Sequence, residues 1–189
     1  MTTLARDPAT RPDIAPIDTG SVNLESYDAA TRTFRHPERV YINRTDTLQL
    51  YAKEFKASGI KPQLVTWSIG FTRRAEALMQ QGLVDEPAYF LINMTDGDCL
   101  TGHPGTPEGL DAHLRFLPKG RRLEWSANLV GGDLVRLAGL AASLGGHVAP
   151  GIGDYPYREL GSPPNEEIVR RVAQVAREAG REVATPDDT

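Results

Sequence analysis

Apolar positions along the chain come in short runs separated by longer amphipathic stretches. Runs at residues 16–22 (PIDTGSV), 63–68 (QLVTWS), 88–94 (AYFLINM), 122–129 (RLEWSANL) and 146–149 (HVAP) are short, and several carry β-branched or aromatic residues. That pattern predicts buried strands. Helical spacing lies between them. Residues 45–58 place Leu48, Tyr51, Ala52 and Phe55 on one face and stop before Gly59; residues 71–81 group Ala75, Leu78 and Met79 and stop before Gly82. A glycine there suits a left-handed helix end, where a Cβ would clash.

Thr106-Pro107 and Ser162-Pro163 each offer a capping hydroxyl followed by proline, a helix-start signal. After the second, Ile168, Val169, Val172, Val175, Ala176 and Ala179 recur at helical spacing, with Glu166, Glu167, Arg170, Arg171, Arg177 and Glu178 on a solvated face. Residues 132–144 are apolar almost all round, which predicts burial on more than one side. Strand and helix alternate through about five βα units, so the fold class is α/β with parallel βα repeats and right-handed crossovers. Two architectures fit that rhythm. One is an open doubly wound sheet. The other is part of a (β/α)8 barrel, which needs eight units and about 250 residues when whole. Residues 1–13 read as a mobile polar arm, and residues 14–186 as a single βα-repeat domain.

Length, 189 residues, suits one domain with a sizeable core. Net charge of −4 and the lack of a long basic cluster argue against nucleic acid. No run approaches the ~20 apolar residues of a membrane span. The N-terminal MTTLARDPATRPD lacks the apolar core of a signal peptide, so a soluble cytoplasmic protein is expected. One cysteine, Cys99, excludes an internal disulfide.

Chemistry-bearing motifs are sparse. No G-x-S-x-G, phosphate loop or dinucleotide fingerprint occurs. Cys99 has His103 four residues on, with no acid marked beside them, and reads as a loop cysteine. The histidines His36, His103, His113 and His147 stand apart, with no spacing that pairs two of them as metal ligands on one element. His147, at the start of a strand, reads as structural. In α/β sheets function gathers at the carboxyl ends of strands. The polar residues placed there are Ser21, Asn23, Ser68, Asn93, Thr95, Asn128 and Asp154, with Asp96 and Asp98 in a neighbouring loop. Most are neutral. Asp154 is the acid among them, and reads equally as a proton-transfer group or a turn-capping carboxylate.

The ordered stretches DTGSVN, GIKPQLVTWSIG, TPEGLDAHLRFLP, EWSANL, GGHVAPGIGD and PPNEEIVRRVAQVAREAGREVATP resemble the C-terminal part of the β-keto acid cleavage enzyme family, from about residue 14 onward. The resemblance implies a TIM-barrel scaffold. It implies acyl exchange between a β-keto acid and acetyl-CoA, giving acetoacetate and a new acyl-CoA, with zinc as Lewis acid. It further implies two zinc-binding histidines in an N-terminal half outside this sequence, and a glutamate on the last strand. At the family's last-strand arginine and glutamate positions stand Ala149 and Gly153, and where acids are usual stand Gln63, Val65 and Ser68. The resemblance leaves Asp154 as the catalytic candidate and Ser21, Asn23 and Asn165 as substrate-binding candidates. No metal or other cofactor is expected of this chain, and weak or absent activity on its own. The implied ligand is a β-keto acid or acyl-CoA. The implied assembly is a partner chain supplying the remaining strands, or a homo-oligomer using the apolar 132–144 helix. No nucleic acid or membrane partner is expected.

Overall fold

The computed structural model describes residue 7 and residues 9–185, so most of the expected N-terminal arm lies outside the described residues. Five parallel strands form the main sheet: β1 (Ile14–Asp18), β6 (Lys61–Thr66), β7 (Ala88–Thr95), β8 (Leu123–Val130) and β9 (His147–Val148), in the spatial order β1-β6-β7-β8-β9. Four helices lie in the crossovers: α1 (Thr45–Ala57), α2 (Ile69–Gln80), α3 (Pro107–Arg115) and α4 (Val135–Ser143). A fifth, α5 (Asn165–Glu178), follows β9. The order settles the choice of architecture. A doubly wound sheet reverses direction at a switch point. Here each strand pairs with the next in sequence, so right-handed crossovers place every connecting helix on one face. That is barrel topology, with five of the strands.

Register shows how the faces divide. Ile17, Leu64, Phe90 and Trp125 align across four strands, and Ile92 with Ala127 and Met94 with Leu129 continue that face. Leu64, Phe90, Ile92, Met94, Trp125, Ala127 and Leu129 pack with Ala75, Leu78 and Met79 of α2, Leu110 of α3, and Leu137 and Ala141 of α4. Ile17 packs separately with Leu48, Ala52 and Phe55 of α1. Burying each such side chain contributes about 1.5–3 kcal/mol.

Local signals fix the helix ends. Gly59 and Gly82 follow α1 and α2 at φ 67° and 69°, as their positions predict. The Thr106 hydroxyl accepts the Gly109 N–H at 3.1 Å, capping α3. Ser162-Pro163, by contrast, starts no helix. Residues 157–162 form a turn in which Tyr157, Gly161 and Ser162 all have positive φ, and α5 begins at Asn165. Two successive prolines hold the chain extended before helical φ/ψ can begin. Residues 132–144 yield α4, which lies against β8, β9 and α5. Leu137, Ala138, Ala141 and Ala142 are buried in that packing.

The first strand is shorter than its apolar run. β1 stops at Asp18, and the Thr19 hydroxyl turns inward between the Val65 and Phe71 carbonyls, at 3.1 and 3.0 Å. Residues 20–44 then form an excursion that the apolar pattern did not predict. It holds two small antiparallel pairs: β2 (Val22–Asn23) with β5 (Val40–Tyr41), and β3 (Ser26–Asp28) with β4 (Thr33–Arg35). It leans on the loop after β7, where Tyr27 N–H donates to the Asp98 carbonyl at 2.8 Å and the Thr101 hydroxyl to the Asn23 carbonyl at 3.0 Å. No helix among the described residues is long and apolar enough to cross a membrane.

Candidate functional site

Opposite the helices, the sheet presents a different surface. Asp18, Val65, Leu91, Ser126 and His147 align across it, as do Gln63, Tyr89 and Glu124, and then Asn93 with Asn128. In a closed barrel these positions point inward. Val65 and Ser126 are buried, and Gln63, Tyr89, Leu91 and His147 half-buried. The Tyr89 and Ser126 hydroxyls share a hydrogen bond of 2.5 Å. His147 lies on this face rather than among the helix-side core. It faces this inner surface with Nε2 3.5 Å from a Glu124 carboxylate oxygen.

At the carboxyl end, two carboxylates stand near opposite edges of the sheet. Asp154 lies in the loop after β9. The Asn128 side-chain amide donates to its Oδ2 at 3.0 Å and to the Ala149 carbonyl at 2.9 Å. Its own carbonyl accepts the Gly131 N–H at 3.0 Å. Asn128 thereby ties the acid to the end of β8. Asn93, its neighbour in register, is buried with Oδ1 lacking a hydrogen-bond partner. At the other edge, Asp18 accepts the Trp67 indole N–H at 2.6 Å and the Tyr41 hydroxyl at 3.0 Å. Burial, and then the carboxylate beside it, hold the Tyr41 phenol above its ordinary pKa, so it keeps the proton it donates.

The remaining candidates divide between these edges. Asn165 opens α5, and its Oδ1 accepts the Ile152 N–H at 2.9 Å, steadying the loop that carries Asp154. Ser21 and Asn23 lie on the excursion after β1. The Ser21 hydroxyl accepts the Asn43 N–H at 2.8 Å and donates to the Asn43 carbonyl at 3.1 Å. The Asn23 side chain is exposed. The fold thus joins Asp154 to Asn165 through one loop and places Ser21 and Asn23 by the opposite edge. Asp96 serves a scaffold role. It pairs with Arg136, and it accepts the Gly105 N–H at 3.2 Å. The Cys99 sulfur meets the Thr101 hydroxyl at 3.4 Å, while the His103 ring packs edge-on against His113, centroids 4.7 Å apart. Asp18, Trp67 and Tyr41 escaped the sequence reading. Asp18 lay inside the apolar run 16–22, and its aromatic partners come from distant segments.

The glycines of GGHVAPGIGD are not alike. A Cβ at Gly146 would meet the Trp125 ring at 2.3 to 2.5 Å, so packing requires glycine. Gly153 would meet nothing within 4 Å. Its missing side chain answers no steric demand, and it stands next to Asp154.

A sequential parallel sheet, helices on one face and polar side chains gathered at the strand ends define the (β/α)-barrel class of scaffold. The beta-keto acid cleavage enzyme family model matches residues 2–189, and the chain belongs to that family. It is 28% identical over 181 residues to the 3-keto-5-aminohexanoate cleavage enzyme of Fusobacterium nucleatum, covering 94% of this chain and 59% of the relative. It is 31% identical over 181 residues to the 3-oxoadipate:acetyl-CoA acetyltransferase of Cupriavidus necator, covering 93% and 57%. A 3-keto-5-aminohexanoate cleavage enzyme of Acetoanaerobium sticklandii is 27% identical over 180 residues, covering 94% and 60%. The chain therefore spans a little over half the length of these curated relatives.

The zinc implied by the resemblance does not fit the side chains present. Among the described residues no three His, Cys, Asp or Glu side chains come together as a metal site. The open position at Gly153 has no donor to offer.

Proposed function

We propose that this chain is a β-keto acid cleavage enzyme-like scaffold that does not carry out zinc-dependent acyl exchange by itself. The observation that carries this reading is the pairing of a positioned Asp154 with a side-chain-free Gly153 in open space. In this reading Asp154, held by Asn128 at the end of β8, is the candidate general base. Asn165, which bonds the loop before Asp154, and Ser21 and Asn23 on the excursion are the candidate substrate contacts. An acyl-CoA or β-keto acid is the ligand class that family membership suggests. Among the described residues no metal donor set is present to stabilise the charge that develops on a β-keto acid. The test is an acetoacetate-release assay with acetyl-CoA and 3-oxoadipate or 3-keto-5-aminohexanoate, run with and without added zinc. No release above the protein-free control is expected. Turnover together with stoichiometric zinc overturns the reading.

A second reading has one observation in its favour. Among the described residues no further strand pairs with β1 or with the two-residue β9, and such edges invite another segment. A partner chain adding strands there would close the barrel over the inner face. Isolation of the protein from its own cells decides between them. A species of monomer mass rejects the partner; a second protein or a second copy in fixed stoichiometry supports it.

A further inference from the structure

The loop of residues 96–106 ties the sheet to the excursion. It follows β7 and leads into α3. Its Asp98 carbonyl and Thr101 hydroxyl bond to Tyr27 and Asn23 of the excursion, and Ser26 and Cys99 form an antiparallel bridge. The same loop is fixed to the sheet and to α4. The His103 carbonyl accepts the Thr95 N–H at 2.9 Å, and Asp96 pairs with Arg136. The part of the excursion that carries Asn23 is therefore held through this loop.

Two histidines join that loop to α3. His113, on α3, is fully inaccessible, and neither ring nitrogen has a hydrogen-bond partner among the described residues. Nε2 of His103 is likewise buried and unpartnered, and the two rings meet edge-on with centroids 4.7 Å apart. Buried polar atoms are normally bonded, so this contact holds only while both rings stay neutral. α3 packs against β7 and α2. The charged side chains of α3 are Glu108, Asp111 and Arg115, and those of α2 are Arg73, Arg74 and Glu76. The loop adds Asp96, Asp98 and the Cys99 thiol; β7 adds the Tyr89 phenol, on the opposite face of the sheet. None of these acts on His113. Burial first, and His103 second, both oppose its protonation. A solvated imidazole accepts a proton below about pH 6.5. The closed contact thus refuses a proton that an opened loop would take up.

We propose that the His103–His113 contact is an acid-sensitive latch, which releases the 96–106 loop from α3, and the excursion with it, as pH falls through the histidine range. Opening takes up protons, so it is favoured as pH falls. It is local: Leu110 anchors α3 in the core, whereas the loop meets the excursion through a few hydrogen bonds near the surface. Cys99, half-buried in the loop and the chain's one cysteine, reports the opening. Its rate of reaction with dithiodipyridine, a reagent that attacks thiols in acid, is measured in the full chain and divided by the rate in urea-unfolded chain at the same pH. With one proton taken up on opening, that ratio should rise about twentyfold between about pH 7 and pH 5. Far-UV circular dichroism should stay constant over the same range. His113→Leu should lose most of the rise; His113→Met takes its place if the leucine variant does not fold. A ratio that does not change with pH, an equal rise in a folded His113 variant, or a rise that comes only with loss of the dichroism signal overturns the proposal. The latch needs no turnover for its test, so it and the acyl-exchange reading fail separately.

Discussion

The two faces of the sheet obey different rules. The helix side carries Leu64, Phe90, Ile92, Met94 and Leu129, all essentially inaccessible, and four helices meet it. The other side carries Gln63, Tyr89, Glu124, Ser126, Asn128 and His147, mostly polar and partly open. In a parallel βα sheet both faces normally bury apolar runs. Here alternation survives along β8, where Glu124, Ser126 and Asn128 interleave with Trp125, Ala127 and Leu129. The helix side holds the packed core, and the opposite side holds the polar groups.

That contrast can be broken first where it is strongest. Phe90→Ala removes a fully buried ring from the helix side and should cost about 3–5 kcal/mol in denaturant unfolding. Gln63→Ala on the opposite face should stay within about 0.5 kcal/mol. A Gln63 variant as damaged as the Phe90 variant would mean that the inner face is as tightly packed as the outer.

Acid comes next. His113 on α3 is fully inaccessible, neither ring nitrogen has a hydrogen-bond partner, and burial, helped by the neighbouring His103, pushes its pKa down to about 3. The unfolded chain then binds a proton that the native state refuses. Stability from this group is full above the ordinary histidine value of about 6.5. It falls by roughly 1.4 kcal/mol per pH unit as pH drops from there toward 3. Replacing His113 by Leu should flatten the unfolding free energy across that window. An unchanged pH slope in His113→Leu would place the acid sensitivity elsewhere.

The two glycines make the finest comparison. Gly146→Ala should destabilise by about 1–3 kcal/mol, because its methyl would enter the space of the Trp125 ring. Gly153→Glu should leave the melting temperature nearly unchanged, within about 0.5 kcal/mol, since the position is exposed and open. The glutamate variant should still bind no stoichiometric zinc by equilibrium dialysis, because one restored carboxylate does not complete a metal site. A folded, zinc-loaded Gly153→Glu would show that the other ligands are already in place.

Short-range physics made much of the architecture legible. The Thr106 cap, the glycines ending α1 and α2, and the 3.6-residue stripe of α5 depend on neighbours a few positions apart, and they appear where the pattern put them, save that Val169 faces solvent. Strand positions also emerged, but the boundary after Asp18 did not. Thr19 bonds to carbonyls from β6 and α2, and nothing local announces those partners. Ser162-Pro163 misled for the reverse reason: a local start signal was present, but Ser162 caps no helix, and Pro164 and the left-handed turn at 157–162 displaced the helix start.

The candidate site was legible only as a list. Asn93, Asn128 and Asp154 could be placed near strand ends from sequence; that Asn128 grips Asp154 could not. Asp18, Tyr41 and Trp67 come from three segments and share no spacing. His103 and His113 looked unrelated until α3 folded back against its own loop.

By itself the sequence determined the alternation of strand and helix and the family. Those follow from periodicity, end caps and residue identity, all local properties. Tertiary structure alone decided the sequential strand order, the division into a packed and an open face, and the two separate carboxylates at the sheet's carboxyl end. Each of these depends on hydrogen bonds and packing between residues tens of positions apart, and one-dimensional spacing carries no record of such distances.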